Sequence, residues 1–467
     1  DGAGKKITYQ IGECSKTDMA LFGYLDGAEL KNLTAAGENH ASAGSTIGTA
    51  GLCVSATNSR ITDCVNGVKV VGQTRNMAVT GGILATATNS VIENCVNKAD
   101  ITGNSTTAGI VAETKNNTAA KCTYIRGCRN EGSITGTKTG GIVGNYASSG
   151  VLKEPVVENC RNLGAVTASG TNVGGIVGSF TGWMRNCENT AEIDGNGKSV
   201  IGGIVGYLQA ATNAESRIEK CRNSGAVCGT AAAGGIVGNT DSKRTSKIQI
   251  VNCENTGNVQ TQKTDGATGA SNGGIIGSSS FPTVASQTGA ALYVQGCISY
   301  VAENTQLKAI GSLYNSENAN PTRKYEAVYA LAEEGEVLVY DGTEPLAVNA
   351  DSFKRSTMTV KLNKAGGENF WGYDAKAKYP LFGKFAEYPI MEIAFKPFTE
   401  ADAEKYQIDL VSDGKSLTLD GSENEKSTEM TRDFKAVLNI KDKTDASKSA
   451  KVIFIINGQV SSLQDAK

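Results

Sequence analysis

Twelve cysteines and a single histidine set the limits of the reactive chemistry open to this chain of 467 residues. Eight of the cysteines stand three places after an aliphatic residue, in the pairs Ile61/Cys64, Ile92/Cys95, Ile125/Cys128, Val157/Cys160, Met184/Cys187, Ile218/Cys221, Ile250/Cys253 and Val294/Cys297. Thiols in that number invite a zinc site or a disulfide framework. Zinc is disfavoured, because no two cysteines have Cys-x-x-Cys spacing and His40, in Glu38-Asn39-His40-Ala41, is the sole imidazole. A Ser-His-Asp triad or Cys-His pair would have to use that same His40, which is expected in an irregular, solvated loop. Asp194-Gly195-Asn196-Gly197-Lys198 begins like a calcium-binding EF-hand loop, but Lys holds the fifth position and Ser199-Val200-Ile201 supplies no Glu, so a plain turn is expected. No catalytic, cofactor-binding or metal-ligating residue is assigned, and no cofactor is expected.

What remains is surface chemistry. The residues just after seven of the repeated cysteines are Val65, Val96, Arg129, Arg161, Glu188, Arg222 and Glu254. Polysaccharide lyases and hydrolases need paired carboxylates, or acids beside a Lys or Arg, on one exposed face. Mixed signs in one column read instead as ion pairing between neighbouring repeats. Tyr146, Phe180 and Tyr207 fall at equivalent places in three consecutive repeats, with Trp183 nearby. If stacking aligns them along one side, they form a ligand-binding surface for sugar rings or peptides. The alternative is that their loops fold back and the rings pack on each other.

The elements that must position these residues recur with the cysteines, which are 31, 33, 32, 27, 34, 32 and 44 residues apart. A period of this size marks stacked supersecondary units. In seven copies Asn follows two places after Cys, at Asn66, Asn97, Asn130, Asn162, Asn189, Asn223 and Asn255, and Val or Ile follows four places beyond it. A Gly-Gly-Ile element closes the unit, as in Gly140-Gly141-Ile142 and Gly174-Gly175-Ile176. Apolar residues come in short β-branched bursts bounded by turn residues, which is the signature of strands rather than helices. Three strands per repeat make one rung, and identical rungs stack at the roughly 4.8 Å spacing of paired strands. The predicted fold is all-β: a parallel β-helix, or solenoid, of about nine rungs. Like then lies on like, so the repeat cysteines form a buried column of reduced thiols whose parallel side chains suit a disulfide torsion poorly. The Asn side chains form a second column, each bonding its neighbours and tolerating the left-handed conformation. Gly72, Gly103, Gly136, Gly195 and Gly229 mark where the coil bends again.

The unit Val157-Glu158-Asn159-Cys160-Arg161-Asn162-Leu163-Gly164-Ala165-Val166 with Gly174-Gly175-Ile176-Val177-Gly178 resembles the GLUG-motif repeats of bacterial surface proteins. Leu21-Phe22-Gly23-Tyr24-Leu25-Asp26-Gly27-Ala28 with Leu30-Lys31-Asn32-Leu33 is similar to the opening unit of such arrays, Leu33 taking the cysteine slot. The resemblance covers residues 20–312 and implies an extracellular or outer-surface location and adhesin-like roles. Metallopeptidases that carry such repeats use an HExxH helix, which this chain lacks.

Composition agrees with a thin core: 56 Gly and only 6% aromatic residues. A net charge of −2, from 45 basic and 47 acidic residues, gives no footprint for nucleic acid or an anionic membrane. No apolar run reaches the roughly 18 residues of a membrane span, so membrane attachment is expected only through a lipid anchor outside this sequence. The expected organisation is a β-helix over 1–320, a capping segment over 321–386 with a strand at Val337–Tyr340, and a small immunoglobulin-like β-sandwich over 387–467, where two-residue alternation such as Met391/Ile393/Phe395 takes over. The expected function is an exported, non-enzymatic adhesin-like scaffold contacting a glycan or protein on a cell surface. The alternatives are a carbohydrate-active β-helix enzyme and a structural spacer.

Overall fold

The computed structural model describes residues 1–14, 18–41, 48–72, 78–115, 117–195, 200–243, 245–261, 271–280, 289–301, 308–314, 322–331, 336–342, 345–349, 355–372, 379–383, 404–412, 415–419, 434–445, 447–456 and 464–465. The chain divides into two compact units, Asp1–Ala350 and Asp351–Lys467.

The first unit is a parallel β-solenoid of about 9 turns. Each turn passes through three sheets: a first of 27 strands that carries the cysteine cassette, a second of 8 and a third of 10. Pairing between turns is parallel and column-true. Ile92 lies between Ile61 and Ile125, Asn97 between Asn66 and Asn130, and Ile101 between Val70 and Ile134. Thr34 pairs with Val65, so Leu33 does occupy the cysteine slot of an earlier turn. The eight column cysteines are free and buried. Each thiol lies within reach of backbone oxygen, as Cys160 does of Glu158 O at 3.3 Å and Ile125 O at 3.5 Å.

Two bends make the coil close. The first falls immediately before each cysteine, where the backbone is left-handed at Asn32, Asp63, Asn94, Asn159, Asn186, Lys220 and Asn252, and at Gly127 and Gly296. The left-handed position therefore precedes Cys, whereas the sequence reading placed it on the Asn two residues after. That Asn points inward and builds a ladder. Asn66 Nδ2 donates to Asn97 Oδ1 at 2.7 Å, and the relay continues through Asn130, Asn162, Asn189, Asn223 and Asn255 at 2.8 Å per step. It ends on Ser299 Oγ at 3.4 Å. The second bend uses the Gly-Gly pair. A Cβ on Gly175 would meet the Asn189 amide and Gly203 O, and one on Gly174 would meet Val177 O. The glycines are thus demanded by close approach to the ladder and to the next turn. The same cause holds at Gly72, Gly103 and Gly136, where an added Cβ would strike a threonine of the second sheet.

Those threonines form an unexpected inward column, Thr49, Thr80, Thr107 and Thr139, which continues as Val173, Ile201 and Ala233. The hydroxyls of Thr80, Thr107 and Thr139 are buried with no hydrogen-bond partner.

The parallel stack runs past the expected limit at residue 320. Thr322–Leu331 adds a further parallel strand with Val328 beside Cys297. Glu336–Gly342 and Pro345–Asn349 then pair antiparallel, closing that edge of the first sheet. The expected strand at Val337–Tyr340 lies within this closure.

The second unit holds the α-helix Arg355–Gly366, in a stretch read from sequence only as a closing segment. Met358, Leu362 and Ala365, spaced four and three apart, are buried. Gly367, with φ of 75°, ends the helix in the left-handed conformation. Asn363 then holds the following turn, accepting from Phe370 N at 2.9 Å and Trp371 N at 2.7 Å. Phe370, Trp371 and Phe382 meet edge to face. The remaining strands, Tyr406–Ser412, Lys415–Leu419, Phe434–Asp442, Ser449–Ile456 and Gln464–Asp465, make one five-stranded antiparallel sheet among the described residues. The alternating run at Met391, Ile393 and Phe395 lies outside them. No helix among the described residues is long and apolar enough to cross a membrane.

Candidate functional site

The outward side of the first sheet carries the most varied chemistry of the solenoid. Its columns are set by the cassette, because strand residues alternate between core and solvent. With Ile61, Ile92 and Ile125 inward, the residues on either side of each face out. The column after the aliphatic residue reads Glu93, Arg126, Glu158, Arg185, Glu219, alternating in sign turn by turn. Arg60 pairs with Glu93. Arg126 reaches Glu154 at 2.9 Å and Glu158 at 4.0 Å, Arg185 reaches Glu158 at 2.5 Å, and Arg217 reaches Glu219 at 2.6 Å. The column after Cys, singled out from sequence, contributes Arg161–Glu188 at 2.9 Å and Arg222–Glu254 at 2.7 Å between turns, while Arg129 pairs with Glu131 of its own turn at 2.7 Å.

The column before the aliphatic residue carries rings. Tyr124, Trp183 and Tyr293 are half-buried and share it with Val91, Val156, Arg217 and Gln249. Each ring has a cation over it: Arg126 at 4.4 Å from the Tyr124 centroid, Arg217 at 5.5 Å from Trp183, and Lys247 at 5.1 Å from Tyr293. Burial and the neighbouring Glu154 push the Tyr124 phenol up to about 12, so it stays protonated and able to donate. The Trp183 indole nitrogen is covered and has no hydrogen-bond partner. The arrangement offers flat apolar platforms beside fixed charges, the equipment for holding a sugar or an extended peptide along the stack.

Of the four aromatic residues chosen from sequence, only Trp183 belongs to this face. Tyr146 and Phe180 are 0% and 1% exposed, so they offer no binding surface. Their rings pack at 5.7 Å, and the Tyr146 hydroxyl donates to Thr123 O at 2.7 Å. They end strands of the third sheet at inward positions, which is the packing alternative. Tyr207 lies on the outer side of that third sheet, where its hydroxyl donates to Asp241 at 2.7 Å and Lys243 approaches the same carboxylate at 2.6 Å. The four do not line one side. Tyr124 and Tyr293 escaped notice because their column is visible only once the repeats are aligned on the aliphatic residue.

His40 lies in the strand Leu33–Ala41, half-buried and opposite Val71, not in a loop. Asp194 and Gly195 belong to the strand Ile193–Gly195, and residues 196–199 lie outside the described residues. No cluster of three or more His, Cys, Asp or Glu side chains able to hold a metal occurs among the described residues. No family model, curated protein or solved structure matches the chain.

Proposed function

We propose that this is an exported, non-enzymatic bacterial surface protein of the GLUG-repeat kind, whose solenoid presents the aromatic and charged side of its first sheet to a glycan or protein on a cell surface. The observation that carries the reading is the single outward column of Tyr124, Trp183 and Tyr293, each ring fixed beside a cation. A rigid ring costs little conformational entropy when it binds, and stacking sets the platforms at multiples of the strand spacing. Binding rather than hydrolysis is favoured because the accessible carboxylates of this face lie against arginines, as Glu158 does between Arg126 and Arg185, while Glu254, whose carboxyl burial raises, is 1% exposed and closed to a substrate. Paired-carboxylate chemistry needs one acid free to hold a proton. The carboxy-terminal sheet belongs, in this reading, to an immunoglobulin-like sandwich over 387–467.

The test is binding to a glycan array and to whole cells. Trp183→Ala and Tyr293→Ala should each weaken binding by about 1–2 kcal/mol, with a small change in melting temperature. Unchanged binding in both variants would favour the spacer. Turnover of a polysaccharide panel, lost on replacing one exposed acid, would favour the enzyme.

A further inference from the structure

The inward cysteines repeat in conformation as well as in position. From Cys64 to Cys297, each Sγ lies 3.3 or 3.4 Å from the carbonyl oxygen two residues before it. Cys64, Cys95, Cys128, Cys160, Cys187, Cys253 and Cys297 also lie 3.5–3.9 Å from the carbonyl oxygen of the aliphatic residue one turn earlier. The same contacts in every turn mean the same side-chain conformation in every turn. The sulfurs therefore stand in a line along the stack, about one strand spacing of 4.8 Å apart.

We propose that neighbouring thiols of this column form linear, two-coordinate sites for a soft divalent cation of the mercury(II) type. Two metal–thiolate bonds of about 2.3 Å laid end to end span about 4.6 Å, which is nearly the spacing that the stack already imposes. The metal would thus bridge two turns without spreading them. Side chains stand across the strands, so the line between sulfurs meets each Cβ–Sγ bond near a right angle, the bent approach that a thiolate lone pair takes. No group of three or more His, Cys, Asp or Glu able to hold a metal occurs among the described residues, so zinc, which wants four ligands, is poorly served. Soft cations prefer thiolates. Charge then selects among them. Two thiolates around a divalent ion are neutral, whereas Cu(I) or Ag(I) would leave a net negative charge in an apolar core. Loading breaks two S–H bonds, forms two metal–sulfur bonds and releases two protons to solvent, with no change of oxidation state. One sulfur serves one metal, because bridging two in a straight line would use lone pairs that do not lie opposite each other. The eight column thiols therefore give four sites, Cys64/Cys95, Cys128/Cys160, Cys187/Cys221 and Cys253/Cys297.

The experiment incubates the reduced full chain with mercury(II) chloride, then washes it briefly with glutathione to strip metal from exposed thiols such as that of half-buried Cys228. The native chain should retain four ions, release two protons for each, melt at a higher temperature and show two sulfurs and no further ligand around mercury by X-ray absorption. Two double variants remove the same number of thiols and differ only in adjacency. Cys64→Ala/Cys95→Ala leaves six consecutive thiols and should hold three ions. Cys95→Ala/Cys160→Ala isolates Cys64 and Cys128 and should hold two. The slot accepts side chains other than Cys, since Leu33 occupies it in an earlier turn and Val328 pairs with Cys297, so both variants should fold, which circular dichroism checks. Equal loading of the two variants would overturn the proposal. So would a native chain that retains no mercury, binds it through more than two donors, or melts lower when loaded, since the metal would then be held by the opened chain.

Discussion

Glu254 shows how one side chain records the cost of a well-covered column. It is 1% exposed, and Arg222 Nε lies 2.7 Å from its carboxylate without hydrogen-bond alignment. Burial pushes the carboxyl up to about 7, against the opposing pull of Arg222. The sign follows from linkage. A folded-state value raised above the ordinary 4.5 means that the group's stabilising contribution is full below that value and is lost as pH rises through 7. Glu254→Gln removes the ionisable group while keeping its shape. The variant should melt near the native chain at about pH 5, and above it at about pH 8. A gap of equal size at both values would show that Glu254 is held ionised throughout.

At the scale of the element, two inward columns of polar side chains behave oppositely. Each ladder Asn donates to the next Asn and also to a carbonyl two residues on, as Asn162 does to Asn189 at 2.8 Å and to Gly164 O at 3.0 Å. Asn162→Ala breaks the relay on both sides and leaves the Asn130 amide without its acceptor, so a loss of about 2–4 kcal/mol is expected in a denaturant titration. The buried threonine hydroxyls have no such partners. Thr107→Val should be neutral or stabilising by about 1 kcal/mol, because valine already fills the equivalent place at Val173. The difference explains what could be read from sequence. Asn recurs at one offset from Cys in seven turns and announces a ladder, whereas the threonine column gives way to Val, Ile and Ala and looks like variable strand. The solenoid and the Leu33 substitution for Cys were legible because stacking imposes identity on each column. The helix Arg355–Gly366 was not, since it occurs once and buries only one narrow stripe. The aromatic face was half legible: Trp183 was found, but Tyr124 and Tyr293 are marked only by standing directly before the cassette's aliphatic residue, and Tyr146, which lacks that mark, proved buried.

For the whole molecule, stacking means that each turn touches only the turns beside it, so stability is close to a sum of turn and interface contributions. The thiol column samples this along its length, because Cys64 through Cys297 are spread one to a turn and all are 0–1% exposed. Burial alone therefore predicts equal protection for all eight. Because all eight are covered, a reagent reaches any of them only when the stack opens locally, and burial in addition holds the Cys128, Cys187 and Cys221 thiols well above the ordinary range. A one-dimensional stack opens most cheaply at its ends, where one interface is lost instead of two. In native-state labelling with a thiol reagent, followed by peptide mass analysis, Cys64 should therefore react before Cys95, and Cys128, Cys160 and Cys187 should react last. Cys297 should be slower than Cys64, since the strand Thr322–Leu331 and its antiparallel partners cover its side of the stack. A single rate for all eight thiols would mean that the solenoid opens as one cooperative unit, and that neither end governs access to its core.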